Sequence, residues 1–350
     1  MFSKLNLKYS ISILVLFFLT LKNEVLYSQD FHLSQYWSAP MNINPALTGL
    51  FNQNLRFTLN YRSQWLQTQT YNTYLASVET NIGRKKFEGN FIGLGLNFFQ
   101  EIENNGSFSN TALNLSAAYL INFKKRKINH GLSLGFTFSY LSKQINLKNA
   151  VFGSFFENQI NEDPIIFNNY NRKNIFDVAL GANYLISIKE KIKLSLGISA
   201  SHIANPDISF TNFGEDTLYR KINSNISADF KLAKTKFSLI PMLLIQFQGP
   251  FSEINIGTYT RFTINDRKNI ASYLGVQYRL VSGFEKWNSD AIIFGFRQEY
   301  KALDFGLSYD FTLSNLRKNK SFIGSPEIYL SYAFSFKNQK YSQMSQCPKF

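Results

Sequence analysis

The sequence predicts an all-β fold: a transmembrane antiparallel β-barrel of the outer-membrane kind with about 14 strands. The first observation is period-two alternation, dominant from about residue 54 to the end. Leu132, Leu134, Phe136, Phe138 and Tyr140 are large and apolar, while Ser133, Gly135, Thr137 and Ser139 between them are small or polar. Ile92, Leu94, Leu96 and Phe98 alternate likewise with Gly93, Gly95 and Asn97, as do Leu303, Phe305, Leu307 and Tyr309 with Asp304, Gly306 and Ser308. The second observation is composition. Aromatic residues make up 16% of the chain, with 35 Phe and 19 Tyr, against 17% charged. Lipid-facing positions demand apolar and aromatic side chains while alternate positions stay polar, and that produces this balance. The third is segment length: the alternating runs reach roughly ten residues or more, enough for a tilted strand to cross a bilayer.

Taken in order, residues 1–28 read as a secretory signal. Lys4 and Lys8 supply the positive start, Ile11 to Leu21 the apolar stretch, and Leu26-Tyr27-Ser28 a cleavage point before Gln29. That stretch falls short of the roughly 20 residues a spanning helix needs. Residues 29–53 follow as an irregular periplasmic leader. Pro40 and Pro45 fix φ and Gly49 permits a turn, so the segment is not a helix. It either packs the periplasmic mouth as a plug or lid, or offers partners a docking surface. The barrel is expected over 54–337, with strands starting near residues 54, 71, 89, 108, 130, 174, 191, 218, 235, 252, 269, 289, 301 and 325. A periplasmic tail at 338–350 closes the chain. An even strand count puts both barrel ends on the periplasmic side. Connections after even-numbered strands, such as 83–88, 125–129 and 264–268, are short and mostly basic, whereas the long ones, 147–173 and 204–217, follow odd-numbered strands. Pro241 sits inside an apolar run and cannot donate to a ladder, which predicts a bulge or a local break.

A formal charge of +14 can signal nucleic acid. Here the basic runs Arg84-Lys85-Lys86 and Lys124-Lys125-Arg126-Lys127 sit between strand-like segments, as turns at a membrane surface would, and export argues against nucleic acid as a partner. Cys347 is the sole cysteine, so neither a disulfide framework nor a cysteine metal site is expected. His32, His130 and His202 lie far apart without metal-ligand spacing, and the acidic pairs Glu162-Asp163 and Glu215-Asp216 read as solvated loop residues. No serine has a nucleophile context, so no enzymatic activity, metal or cofactor is expected. Arg56, Arg62, Arg279 and Arg297 alternate with lipid-facing residues, as do Asp177, Asp304 and Asp310, which makes all of them candidate lumen residues. Charges of both signs there either pair to fill the lumen or line a water channel. Trp65, Trp287, Tyr61, Tyr119 and Tyr140 fall near segment ends and fit interfacial girdles.

The most specific motifs lie at the two ends. The leader runs Ser34-Gln35-Tyr36, Pro40, Asn44-Pro45-Ala46-Leu47-Thr48-Gly49, then Arg56, Tyr61-Arg62-Ser63-Gln64-Trp65 and Tyr71-Asn72-Thr73-Tyr74. The far end carries Ser308-Tyr309-Asp310-Phe311, Gly324-Ser325-Pro326-Glu327-Ile328 and a closing Cys347-Pro348-Lys349-Phe350. This resembles the PorP/SprF family of Bacteroidetes outer-membrane proteins over essentially the whole mature chain; Lys349 replaces the arginine usual in the closing motif. The resemblance implies a component of the type IX secretion system in the cell outer membrane, assisting export or surface retention of cargo such as a large gliding-type adhesin. Its implied partners are other secretion components, the adhesin or its C-terminal sorting domain, a peptidoglycan-binding periplasmic lipoprotein, and outer-membrane lipid. A passive channel or hydrophobic-solute transporter is the alternative. Neither end needs its motif to make a barrel, and both are expected on the periplasmic side. Gln35, Tyr36, Pro40, Asn44, Pro45, Gly49, Cys347, Pro348, Lys349 and Phe350 are therefore candidate partner-docking residues.

Overall fold

The computed structural model describes residues 30, 32–64, 70–87, 89–103, 107–124, 128–146, 172–188, 191–210, 216–266, 268–283, 286–314 and 324–336. The signal at 1–28, Trp65 and the tail at 338–350 lie outside them. Fourteen strands close into a barrel in which every strand pairs with its sequence neighbours and β1 pairs with β14. They are β1 (Leu55–Gln64), β2 (Tyr71–Phe87), β3 (Asn90–Glu103), β4 (Phe108–Lys124), β5 (Ile128–Ile145), β6 (Arg172–Ile188) and β7 (Ile192–Ser201). The second half comprises β8 (Lys221–Lys231), β9 (Phe237–Gln248), β10 (Phe251–Asn265), β11 (Ile270–Gly283), β12 (Lys286–Tyr300), β13 (Leu303–Thr312) and β14 (Ser325–Phe334). The near rim of the barrel is the one where β1 begins and β14 ends; connections after odd-numbered strands lie at the far rim.

The alternation sorts side chains between lipid and lumen as the pleat requires. On β5, Leu134 (52% exposed) and Phe136 (44%) face outward, whereas Thr137 is buried. The outer face carries a continuous apolar belt, from Phe57 on β1 through Phe176, Ile226 and Leu274 to Tyr332 on β14. Tyr119 is exposed toward the near rim and Tyr61, Tyr140 and Trp287 toward the far one, as two girdles would be. This architecture belongs to the outer membrane.

Of the two outcomes expected at Pro241, the structure shows the local break and no bulge: the β9–β10 register runs unbroken through Thr258↔Pro241. On the other side, pairing lapses over Ala228 and Asp229 and resumes in the same register at Phe230↔Leu239, so the missing N–H produces a local break. At Thr137 the lumen has little room. Thr137 is only 6% exposed, and its hydroxyl lies 2.7 Å from Ser116 Oγ. We expect Leu134→Arg to destabilise the barrel by about 2–4 kcal/mol through exposure of charge to hydrocarbon. Thr137→Arg is expected to fail as well, through overpacking; urea titration of protein folded into liposomes measures both, and an intact Thr137→Arg barrel would show an emptier lumen.

Candidate functional site

The leader lies inside the barrel. From residue 32 to residue 54 it passes from the far-rim half of the lumen to the near rim, where Asn54 N donates to Phe334 O and the chain enters β1. It makes three short helical turns, Tyr36–Ser38, Pro40–Ile43 and Pro45–Leu47, and the latter two open on a proline, where a missing N–H costs nothing. Ser34, Gln35, Asn44, Ala46 and Thr48 have no solvent exposure at all.

Toward the far rim the leader is clasped by charge. Glu327, near the start of β14, accepts from the consecutive backbone N–H groups of Ser34 (2.7 Å) and Gln35 (2.9 Å), and Gln35 Nε2 returns a bond to Glu327 O. Arg62 bridges Glu327 and Asp310, and Arg279 bridges Asp310 and Asp290. The Ser34 hydroxyl sits among them, donating to Asp310 at 2.7 Å and accepting from Arg62 and Arg279. His32 lies 3.9 Å from Glu253.

In mid-lumen, Trp37 packs edge-on against Tyr329 (5.0 Å) and Tyr259 (5.6 Å), with the Arg297 guanidinium 4.9 Å above its ring. Ile240, Met242 and Leu244 of β9 join this cluster with Tyr36 and Tyr273. That explains the unbroken apolar run around Pro241: one face of β9 meets lipid and the other meets the leader.

The middle of the leader then lies in a trough of inward-facing glycines. A Cβ on Gly135 would collide with the backbone of Pro45 and Ala46, one on Gly93 with Thr48 O, and one on Gly181 or Gly197 with the Asn44 side chain. Asn44 uses this closeness. Its Nδ2 donates to the wall carbonyls of Ala182 (3.1 Å) and Ile198 (3.2 Å), and its Oδ1 caps the turn by accepting from Ala46 N at 2.9 Å. Gly49, at φ +74°, donates to Glu79, which also takes both bonds of Arg56 from directly across the strand pair. Asn81 Nδ2 ties down the exit by donating to Gln53 O at 2.7 Å.

All the candidate lumen residues do face inward, and each is paired. Arg56 joins Glu79, Arg62 and Arg279 share Asp310, Arg297 joins Asp304 and Glu299, and Asp177 lies 2.8 Å from His202. The docking candidates stand differently. Gln35, Tyr36, Asn44, Pro45 and Gly49 are buried in the lumen and Pro40 is half-buried, while Cys347, Pro348, Lys349 and Phe350 lie outside the described residues. The expected shared surface at the periplasmic mouth is corrected for Gln35, which sits in the far-rim half of the lumen, because Glu327 lies near the end of β14 remote from that mouth. The histidines do not converge: His130 meets Tyr184 on the outer wall, far in sequence and register from His32 and His202. Sequence reasoning missed Glu79, Glu299 and Glu327 as the arginine partners. The glycine trough also has no signal beyond the alternation itself, in which Gly135 is one more small residue, whereas Glu327 stands in the Gly324–Ile328 motif.

A cleft of about 130 Å³ remains at the near rim, between the leader and the wall. Trp37, Pro40, Ile43, Leu47 and Leu50 line it from the leader, and Met242, Arg297 and Ser331 from the wall.

The family model described as "Type IX secretion system membrane protein PorP/SprF" matches residues 25–332. No curated protein matches the chain. Among solved structures, the chain is similar to the CymD monoaromatic hydrocarbon channel at 9% identity and a TM-score of 0.45, covering 86% of this chain and 94% of that one. The Ralstonia pickettii toluene transporter TbuX matches at 12% identity and 0.44, covering 85% and 94%. The Acinetobacter baumannii outer membrane protein Omp33 matches at 9% and 0.38, covering 80% and 99%. Likeness at this level describes a barrel outline and nothing finer.

Proposed function

Because the chain belongs to the PorP/SprF family of type IX secretion system membrane proteins, we propose that it is a non-enzymatic accessory that assists export or surface retention of a particular cargo, such as a large adhesin. The observation that supports this reading over a passive channel is the filled lumen. The leader occupies it from Ser34 to Asn54, held toward each end by a buried carboxylate, Glu327 and Glu79, and pressed between them into a glycine trough. A barrel so filled works through its rims and its partners rather than by passing solutes. Those partners are other secretion components, the cargo or its C-terminal sorting domain, and a peptidoglycan-binding lipoprotein.

The test is a deletion strain, with proteomics of the cell surface and the medium. A cargo-specific accessory is expected to cost the surface one large adhesin and leave other type IX substrates in place. Loss of every such substrate would make the protein a core component. Loss of none would overturn the reading in favour of a channel.

A further inference from the structure

We propose that the near-rim cleft is the docking site for an acidic, extended segment of a partner protein, one that carries a single apolar side chain into the cleft. The proposal deepens the reading above and rests on its premise that this barrel acts by engaging partners.

Shape comes first. The leader touches the wall unequally. Around Asn44 to Thr48 it lies close against β3, β5, β6 and β7 at Gly93, Gly135, Gly181 and Gly197, and around Tyr36 and Trp37 it packs on β9 to β11 and β14; nearer the rim, between these two contacts, it leaves the cleft. A volume of about 130 Å³ holds about four waters' share of liquid, or one side chain of leucine or phenylalanine size. The lining is mixed: Ser195, Asn225, Ser227 and Ser331 can hold water, whereas water against Ile43, Leu47, Leu50 and Met242 finds few partners there and is the part an apolar group displaces favourably.

Charge then selects the partner. Lys191, Lys231, Lys234, Lys236, Lys268 and Lys301 are all exposed at the near rim. Among the described residues of the near-rim connections the opposing acid is Asp266, 3.7 Å from Lys231. Deeper in, Arg56 and Arg297 are already matched by Glu79 and by Asp304 with Glu299. Among the described residues the excess positive charge therefore belongs to the rim, and the apolar side chains Ile43, Leu47, Leu50 and Met242 lie within the cleft. That arrangement complements a segment whose acidic residues flank one apolar anchor. Anionic lipid headgroups suit the lysines too. The cleft, however, is lined mainly by the leader and by inward-facing residues such as Ser195, Asn225 and Ser331, so it opens along the barrel axis rather than onto lipid.

The experiment uses the full chain in phosphatidylcholine nanodiscs and a short fluorescein-labelled peptide of glutamates around one central leucine, read by fluorescence anisotropy. Binding is expected to weaken about tenfold when the peptide leucine becomes serine, and by a similar factor when Leu50→Trp fills the cleft. The triple variant Lys234→Glu, Lys236→Glu, Lys301→Glu is expected to lose binding by more than that, and added salt should weaken the parent. A lysine version of the peptide binding equally well would overturn the proposal, as would indifference to the central leucine. So would a failure to bind peptide combined with lysine-dependent enrichment of phosphatidylglycerol in mixed nanodiscs, which would assign the rim to a lipid surface. The deletion strain judges the secretion role separately. A barrel needed for secretion that ignores the acidic peptide overturns only the docking site, and a barrel that binds the peptide but is dispensable for every cargo overturns only the role.

Discussion

Gly135→Leu is expected to drive the leader out of the lumen and turn a closed barrel into a conducting one. The Cα of Gly135 lies against the backbone of Pro45 and Ala46, where not even a Cβ fits. Overpacking ordinarily costs about 1–3 kcal/mol because neighbours yield a little. Here neither neighbour is a flexible side-chain tip: one is the leader backbone and the other a strand paired on both sides, with Gly135 opposite Ala118 and Gly181. The wall is a closed ladder and the leader is not, so the leader gives way. In planar bilayers the parent should be nearly silent. Gly135→Leu should show ohmic steps approaching those of a variant lacking residues 32–50, and its leader should become sensitive to protease while the barrel remains heat-modifiable. A silent Gly135→Leu barrel beside a conducting deletion variant would show that the trough is not what seats the leader.

Arg62→Met is expected to destabilise the protein by about 3–5 kcal/mol, the range for removing one partner of a buried ion pair. Arg62 is 1% exposed and serves Asp310 and Glu327 together. Asp310 keeps Arg279 and Ser34 when Arg62 goes; Glu327 keeps only backbone donors. Most of the penalty therefore falls on Glu327. Neutralising it should recover part of the loss, so Arg62→Met with Glu327→Gln should be less damaging than the two single changes added together. Urea titration of the loss of heat-modified mobility supplies the four stabilities. Simple additivity would mean that the far-rim clasp is not one coupled network. Glu327→Gln alone should also loosen Ser34 and Gln35, since a neutral amide is a weaker acceptor for their two backbone N–H groups.

The barrel itself was legible because each strand reports its own surroundings. Every spanning strand must alternate between hydrocarbon and lumen, so the period appears locally, as in Leu132–Tyr140, and all the expected strand starts fall within a few residues of β1 to β14. The same rule placed Arg56, Arg62, Arg279, Arg297, Asp177, Asp304 and Asp310 on the inner face. It faltered at β9, where Ile240, Met242 and Leu244 are apolar on the lumen side as well. There the inward environment is the leader's Tyr36 and Trp37, residues some two hundred positions away, and nothing local announces them.

The wall can be read from the chain alone: strand number, facing, the near-rim turns and the charged character of the lumen. All of these follow from a bilayer that acts on each strand independently. The content of the lumen emerges only in the folded molecule. An inward glycine reads as one more small residue until Asn44 or Pro45 is seen resting on it, and a carboxylate such as Glu327 reads as a strand residue until two leader N–H groups point at it. Such contacts join residues distant in sequence, 293 positions apart for Ser34 and Glu327, and their energies depend on geometry that closes only when β1 meets β14. No periodicity encodes them, so the leader's place inside the barrel had to be seen.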